Sequence, residues 1–408
     1  MNIIKYAKSK IVHLMPKWLK VALYKIWRFY WRSKTKLIPG KYYIDPYSKD
    51  ETIYIDPDRI VYAVKEGFDI YQYKGRVFGG NWDKKVIRFD EIDFFKSFKR
   101  RIENNLDWEE TEYYNRVFAQ IKKGEVKWAC RNKEELDERC AKLDALFKDM
   151  KEYGYKKGWN ENEVTVNIGR NGELLFNNGR HRLTFAKLLG VKEIPVKVTV
   201  RHKEWIAFKN EIFEYSKKFD NKVYTKLFHP DLLNIPSHYT DKRFDLIKNN
   251  LTVKGGKLLD IGCHWGYFCH KFEDERFDCY CVEKSKLNLY FLEKLKEIEN
   301  NRFKIIPKSI FNLPADMPKE YDVILALSIF HHFIKEEEIY KKFIEFLKTL
   351  KGKELFFEPH NPDEPQMRGA YMNFDNDEFA EFIVENSAFT AFEKIGFSEH
   401  GRALYKIY

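Results

Sequence analysis

The sequence predicts an α/β protein in which a Rossmann-like domain follows a second α/β domain and a basic helical arm. Three observations lead to this fold class. A glycine turn at 257–266, KLLDIGCHWG, opens a series of apolar runs in the C-terminal half. A second strand–turn–helix pattern occupies 164–200, and residues 1–40 combine basic and aromatic side chains without an acidic one. A chain of 408 residues is long enough for two or three domains with cores of their own.

The stretch 257–266 has the pattern of a buried parallel strand that ends in a tight turn before a helix. Gly262 and Gly266 let the backbone approach a ligand closely, and the helix that follows offers free N–H groups. Asp260 ends the first apolar run, and Glu283 ends the next one, YCVE. An acid at the tip of the second strand grips a ribose diol in nucleotide-type sites. Because the spacing is not G-x-G-x-x-G, we expect a ligand without a pyrophosphate.

The pattern D-I-G-C-x-x-G followed by V-E resembles the first two motifs of class I S-adenosylmethionine-dependent methyltransferases. The later motifs occur in the family's order, with SIF after the third apolar run, YDVILALSIFHHF at 321–333 and KELFFEPH at 353–360. The resemblance implies a seven-stranded domain over 251–408 that binds S-adenosylmethionine. The cofactor-binding residues that it implies are Asp260, Gly262, Gly266, Glu283, Ser309 and Ile310.

Methyl transfer to a hydroxyl group requires alignment of the acceptor and a base that removes its proton. His331 and His332, in the loop that the resemblance places beside the methyl donor, are the candidate bases because imidazole titrates near neutral pH. The sequence does not distinguish between them, and Glu358 and His360 are candidates of second rank. The FHHF loop resembles the methyltransferase half of O-antigen chain-terminating kinase/methyltransferases, which phosphorylate and methylate a glycan. Their kinase half has a different fold and is not recognised in this sequence.

The N-terminal half contains a turn, NNG, directly before a predicted helix that begins with Arg180, His181 and Arg182. A helix N-terminus with two guanidinium groups and an imidazole suits a phosphate group. The alternative is that one arginine caps a strand or pairs with an acid, and Arg182 is the candidate for that role.

The stretch GRHR at 179–182, followed by LG at 189–190 and IPV at 194–196, resembles the ParB/sulfiredoxin-like fold. The resemblance implies a nucleotide-binding domain over 41–205. In this family the turn holds the phosphates of a nucleotide, here with Asn178, Gly179, Arg180, His181 and Arg182. Arg180 stands where sulfiredoxins have their catalytic cysteine, so reduction of sulfinic acids is not expected. No helix-turn-helix segment is recognisable after Trp205, which disfavours a role in DNA partitioning.

Some proteins with this fold are kinases. Phosphoryl transfer would need a base for the acceptor and a carboxylate for Mg²⁺. Asp83 in the GGNWD loop is the candidate for this role, and Asp56 and Asp58 are its rivals. The alternative for Asp83 is an Asx turn. ATP or another nucleotide with Mg²⁺ is the cofactor expected if the domain is a kinase, and the sequence identifies no set of metal ligands.

Residues 1–36 carry ten Lys or Arg side chains among many Trp, Tyr and Phe, and the whole chain has a net charge of +11. No apolar run in this arm approaches the roughly 20 residues needed to span a bilayer. A basic aromatic helix suits the headgroup layer of an anionic membrane. The alternative is that its aromatic side chains pack on the second domain.

Six cysteines without a disulfide or zinc spacing favour a cytoplasmic protein. The basic aromatic arm favours a peripheral position at the inner membrane face. We expect an O-methyltransferase that acts on a glycan or lipid-linked glycan. Its second, nucleotide-binding domain is a candidate kinase. Residues 206–250 are expected to form a helical linker or lid. Two alternatives stay open: a ParB-like nucleic-acid-binding protein with a methyltransferase domain, and a small-molecule methyltransferase with a non-catalytic N-terminal domain. Methylation of DNA bases is disfavoured, because the N/D-P-P-Y/F loop that it uses is missing.

Overall fold

The computed structural model describes residues 42–47, 52–65, 68, 73–156 and 163–408. The predicted arm at 1–40 therefore lies outside the described residues. The chain divides into two compact units, Met1–Glu211 and Ile212–Tyr408. The division falls within the predicted linker at 206–250, most of which belongs to the second unit. Among the described residues, no helix combines the length and the hydropathy that crossing a bilayer requires.

The N-terminal unit is built on a mixed eight-stranded sheet with the order β1-β4-β8-β6-β7-β3-β5, in which β2 pairs with β8. The predicted order of strand, turn, strand, helix and strand over 164–200 is confirmed. The strands are β1 Tyr42–Ile44, β2 Thr52–Ile55, β3 Tyr62–Val64, β4 Arg76–Phe78, β5 Val86–Arg88, β6 Val164–Ile168, β7 Leu174–Asn178 and β8 Ile194–His202. The helices are α1 Asp93–Asn104, α2 Glu112–Lys122, α3 Lys133–Tyr153, α4 Arg180–Leu188 and α5 Lys203–Ser216, which reaches into the second unit.

An aromatic core holds the helices of the N-terminal unit together. Phe98 of α1 packs on Phe185 of α4 with ring centres 4.5 Å apart, and Phe147 of α3 packs on the same Phe185 at 5.3 Å. All three helices have apolar residues at a helical period, so each presents one apolar face. Burial of these rings stabilises the unit and sets the position of α4, the helix that begins at the predicted phosphate site.

The C-terminal unit is built on a seven-stranded sheet with the order β13-β12-β11-β14-β15-β17-β16. All neighbouring strands are parallel except that β17 runs antiparallel to both β15 and β16. The strands are β11 Gly256–Ile261, β12 Phe277–Val282, β13 Lys304–Ile306, β14 Tyr321–Leu327, β15 Gly352–Glu358, β16 Phe392–Phe397 and β17 Ala403–Ile407. The helices are α6 Lys242–Asn250, α7 Tyr267–Asp274, α8 Lys286–Glu299, α9 Glu337–Thr349 and α10 Asn376–Glu385. A short parallel pair, β9 Val223–Thr225 and β10 Ser237–Tyr239, precedes them.

The strand order reverses at β11, whose neighbours are β12 on one side and β14 on the other. In open α/β sheets, ligands bind outside the carboxyl ends of the strands at such a reversal. The predicted α/β class is confirmed, and the sheet places the ends of β11 and β14 at the position where a ligand is expected.

Candidate active site

A cavity of about 1160 Å³ lies at the reversal of the strand order. Residues predicted from two separate arguments line it together: those of the donor site and those proposed as bases. They are Gly262, Glu283, Ser309, Ile310, His331 and His332. Asp260 and Gly266 are not among its lining residues. Their contribution is to the shape of the turn behind it.

The turn after β11 requires glycine at two positions. Gly262 has a φ of +74°, and a Cβ there would lie 2.8 Å from Ile329 Cδ1. Gly266 has a φ of +79° and precedes the first residue of α7, and its Cβ would lie 2.6 Å from Leu292 Cδ1. Both distances are shorter than two carbon atoms that are not bonded can approach each other. In addition, residues other than glycine rarely adopt a positive φ. The turn therefore brings backbone, rather than side chain, to the edge of the cavity.

Glu283 stands directly after β12, and its carboxylate is held in one orientation. Oε1 accepts hydrogen bonds from the backbone N–H groups of Lys284 and Ser285, both at 2.8 Å. Oε2 accepts one from Asn288 Nδ2 at 3.2 Å. A carboxylate oxygen has room for more than one donor, so Oε2 can also accept from a ligand hydroxyl. This is the geometry that a ribose diol needs.

Asp260 is only 3% exposed, and its carboxylate faces the interior, 3.9 Å from Cys269 Sγ. Burial raises the pKa of Asp260 to about 7, the charge of Glu283 adds to this effect, and Arg243 opposes it. All six cysteines are free and buried, as expected for a protein without disulfides. Asp260 thus lies in the interior, with its carboxylate against α7 rather than in the cavity.

We expect the contribution of Asp260 to the free energy of unfolding to fall as the pH rises from about 4 to about 7. The unfolded chain loses the Asp260 proton near pH 3.8, whereas the folded protein keeps it until about pH 7. The stabilisation is therefore complete at low pH and is lost through this window. Asp260→Asn should remove the dependence, and urea denaturation at pH 5 and pH 8 measures it. An unchanged pH dependence in the variant would contradict the assignment.

Three histidines form a cluster on one wall of the cavity. The ring of His331 lies 3.9 Å from that of His332 and 3.7 Å from that of His360, measured between centres. His331 is buried, and neither of its ring nitrogens has a hydrogen-bond partner in the described part of the chain. Burial lowers the pKa of His332 to about 4 and that of His331 further. Both rings are therefore neutral at pH 7.

A network of buried charges, which the sequence did not reveal, supports this wall. Arg243 Nη1 donates to Glu358 Oε2 at 3.0 Å, and Ser328 Oγ donates to the same oxygen at 2.5 Å. Arg402 forms a two-point ion pair with Glu364, with distances of 2.7 Å and 2.6 Å. Arg402 belongs to the turn before β17, far in sequence from every motif. A short-range pattern could not have identified it.

The predicted phosphate site in the N-terminal unit is only partly open. His181 packs edge-on against Phe94 with ring centres 4.5 Å apart, and burial and nearby arginines lower its pKa to about 3. Arg182 Nη1 lies 3.6 Å from Glu163 Oε2, and both side chains are buried. Arg182 therefore takes the alternative role that the sequence left open.

Gly179 and Arg180 differ from these two residues. Gly179 has a φ of +94°, and its N–H donates a hydrogen bond to Asn178 Oδ1 at 2.9 Å. The guanidinium of Arg180 lies 6.0 Å from the ring centre of Trp128 and makes no ion pair with the described residues. Of Arg180, His181 and Arg182, Arg180 is thus the one whose charged side chain is available to a ligand.

Asp83 is engaged by Arg170 in a two-point ion pair. Arg170 Nε and Nη2 donate to the two carboxylate oxygens, each at 2.8 Å, and the Arg170 backbone N–H donates at 3.1 Å. Although burial raises the pKa of Asp83, these hydrogen bonds lower it below its usual value. The ion pair ties the 79–85 loop to the turn between β6 and β7, which gives Asp83 a structural role. Its role as a base stays a prediction.

Comparison with known protein families identifies the class of the C-terminal unit. Residues 236–398 match the family model described as a methyltransferase domain. The chain therefore contains a methyltransferase domain, as predicted, and a domain of this class implies S-adenosylmethionine as the methyl donor. The residues fit this cofactor, because Gly262 presents bare backbone to the cavity and the Glu283 carboxylate is preset to accept hydroxyl groups.

Several solved structures are similar to this chain. Monomeric WbdD is 20% identical over 48% of each chain, with a TM-score of 0.39. A putative methyltransferase from an antibiotic biosynthesis pathway of Anabaena variabilis is 19% identical over 38% of this chain and 64% of its own, with a TM-score of 0.30. The methyltransferase domain of bacterial CtHen1 is 17% identical over 41% of this chain and 97% of its own, with a TM-score of 0.33. The match spans about half the length of WbdD. No curated protein sequence matches the chain.

Proposed function

We propose that the protein is an S-adenosylmethionine-dependent O-methyltransferase that methylates a hydroxyl group of a glycan or lipid-linked glycan. The observation that carries this proposal is the shared cavity. Residues predicted to hold the donor line it together with imidazole and phenol groups. S-adenosylmethionine supplies an activated methyl group, and the chain itself has to hold the acceptor and receive its proton.

The cavity lining suits a polyhydroxylated acceptor. Six of the eleven histidines line it, and they are His238, His264, His331, His332, His360 and His400. Burial lowers the pKa of His264 to about 3, so this ring is neutral like His331 and His332. A neutral imidazole offers one hydrogen-bond donor and one acceptor, which matches a hydroxyl group. Tyr224 and Tyr239 add aromatic rings with a polar end.

The test is incubation of the protein with methyl-labelled S-adenosylmethionine and glycans extracted from membranes, followed by mass spectrometry. We expect the label on a sugar oxygen. Gly262→Val is the matched negative control, because its side chain would collide with Ile329. Label in nucleic acid, or in small metabolites alone, would reject the glycan acceptor and favour one of the two alternative functions.

For the N-terminal unit we propose a nucleotide-phosphate site at Arg180, on the N-terminus of α4. A kinase activity would be a further step, for which Asp83 is the candidate base. What supports the site is a guanidinium without an ion pair among the described residues beside free helix N–H groups.

Residues 1–36 are proposed to hold the enzyme at an anionic membrane, and their deletion should abolish co-sedimentation with anionic liposomes.

Arg180→Ala should weaken binding of ATP, CTP or ADP by about tenfold or more, since a hydrogen bond to a charged group contributes about 1.5–3 kcal/mol. The melting temperature should change little. Titration calorimetry with the three nucleotides measures the affinity, and Arg100→Ala, which removes an exposed arginine of α1, is the control. Equal affinities of the wild type and Arg180→Ala would refute the site.

A further inference from the structure

We propose that His360, oriented by Glu364, is the general base of the methyl transfer. This inference rests on the proposed function of the cavity and names the residue that receives the acceptor proton. His360 follows β15 by two residues and lines the cavity. Glu364 follows the KELFFEPH stretch and lies outside the sequence motifs. It is a positioning residue because it orients the His360 ring.

The hydrogen bonds determine which nitrogen of His360 is available. Nδ1 lies 2.8 Å from Glu364 Oε2, and Gln366 Nε2, which donates to the same Glu364 oxygen, lies beside it. A carboxylate only accepts, so Nδ1 carries the ring proton and Nε2 has the free lone pair. No partner of Nε2 is found in the described part of the chain. The geometry therefore leaves one basic nitrogen on a ring that lines the cavity.

Glu364 is itself held from several directions. Arg402 binds both of its oxygens, Asn361 N–H donates to Oε1 at 3.0 Å, and Gln366 Nε2 donates to Oε2 at 3.0 Å. Arg402 in turn donates to the hydroxyl of Tyr239 at 2.9 Å. Although burial raises the pKa of Glu364, these hydrogen bonds lower it strongly, so the carboxylate remains ionised. It can then stabilise the imidazolium that forms when His360 takes a proton.

His331 and His332 lack this support. Both nitrogens of His331 are buried, so its ring would have to move to reach an acceptor. Neither ring has a carboxylate partner among the described residues. Burial and Arg402 lower the pKa of His360 while Glu364 and Glu358 oppose the fall, whereas burial, nearby cations and neighbouring histidines lower the pKa of His331 and His332. His331 instead packs 3.7 Å from His360 and helps to hold its plane.

The step balances without any further reagent. The acceptor oxygen forms the new bond to the methyl carbon, and the electron pair of the broken carbon–sulfur bond stays on sulfur. The hydroxyl proton moves to His360 Nε2 and passes to solvent after the product leaves. No oxidant, reductant or metal is needed.

His360→Ala should lower kcat by about 10²–10⁴-fold, the usual contribution of a general base. The KM for S-adenosylmethionine should not change. His332→Ala should have a smaller effect on kcat. Rates are measured with tritiated methyl donor and the membrane glycan extract described above. Glu337→Gln, which removes an exposed carboxylate paired with Lys341, is the control and should behave as wild type.

Glu364→Gln tests whether Glu364 orients His360 or only stabilises the folded protein. Activity should rise with pH as His360 loses its proton, and removal of the nearby negative charge lowers the pKa of His360. The acidic limb of the pH–rate profile should therefore move to lower pH in Glu364→Gln, and the plateau should fall by about tenfold or more. Wild type and Glu337→Gln should share one profile.

The outcomes separate this inference from the proposed function. Wild-type rates in His360→Ala, or an unshifted pH profile in Glu364→Gln, would overturn the assignment while the function stands. A wild-type protein that transfers no methyl group to the extract would instead reject the function. Binding of S-adenosylhomocysteine by each variant verifies its fold, and His360→Gln replaces His360→Ala if the latter does not fold.

Discussion

Replacing Glu283 with alanine is expected to lower the affinity for S-adenosylhomocysteine by at least about 100-fold, because two hydrogen bonds to a charged group contribute about 1.5–3 kcal/mol each. The carboxylate lies at the end of β12 on the cavity wall, and three N–H donors fix its orientation. Its oxygens are positioned before the ligand arrives, so little energy is spent on ordering them. Titration calorimetry measures the loss.

Glu283→Gln provides the graded comparison. Glutamine keeps one oxygen that can accept from the Lys284 and Ser285 N–H groups, but it has no negative charge. We expect a loss between those of wild type and Glu283→Ala. Glu345→Gln, which removes an exposed carboxylate paired with Lys348, is the control and should bind as wild type. A folded Glu283→Ala that binds with wild-type affinity would show that the donor site lies elsewhere.

Arg243→Met should reduce the free energy of unfolding of the C-terminal unit by about 3–5 kcal/mol, since it leaves a buried charge without its partner. Arg243 and Glu358 have side chains 2% and 0% exposed, and their ion pair measures 3.0 Å. The Arg243 guanidinium also lies 3.5 Å from the ring centre of Tyr239. Loss of this cation therefore affects both the network and the packing on one side of the cavity.

Urea denaturation of the full chain measures this change. The transition of the C-terminal unit is recognised by its shift when S-adenosylhomocysteine is added. The double variant Arg243→Met with Glu358→Gln should recover a large part of the loss, because the stranded charge is gone. Lys348→Ala, which breaks an exposed ion pair, should cost at most about 1 kcal/mol. Equal losses in the single and double variants would assign the effect to packing rather than charge.

The glycine turn and the acid after β12 were predictable because their requirements are local. Gly262 and Gly266 each have a positive φ and no room for a Cβ, so the turn demands glycine at a fixed distance from the strand. Glu283 follows the next strand, and parallel neighbours bring their carboxyl ends to the same edge. Strand, turn, helix and acid occur in chain order, and a linear pattern can represent that order.

The acceptor side was not predictable in the same way. His331 and His332 looked equivalent in FHHF, yet the ring of His331 is buried without a hydrogen-bond partner among the described residues, whereas His332 is partly open to solvent. His360 is linked through Glu364 to Arg402, and Glu364 and Arg402 are 38 residues apart in the sequence. It exists because β17 enters the sheet antiparallel beside β15 and brings the turn before it to the cavity.

The N-terminal unit shows the same limit. Arg182 and Asp83 were both candidates for chemistry, and both have a buried or nearly buried ion pair, with Glu163 and Arg170 respectively. Of the two arginines at the start of α4, Arg180 is the one left without an ion pair among the described residues. A charged side chain near a turn has the same sequence signature whether it binds a ligand or a neighbouring strand.

By itself, the sequence determined the α/β class, the glycine turn and the acid after β12, since backbone conformation and side-chain alternation act over a few residues. Only the tertiary structure decided which histidine has a carboxylate partner, which arginines are paired and which side chains share the cavity. Those outcomes depend on burial and on contacts between distant segments. Burial sets the charge state of each imidazole, and the sheet order sets its neighbours.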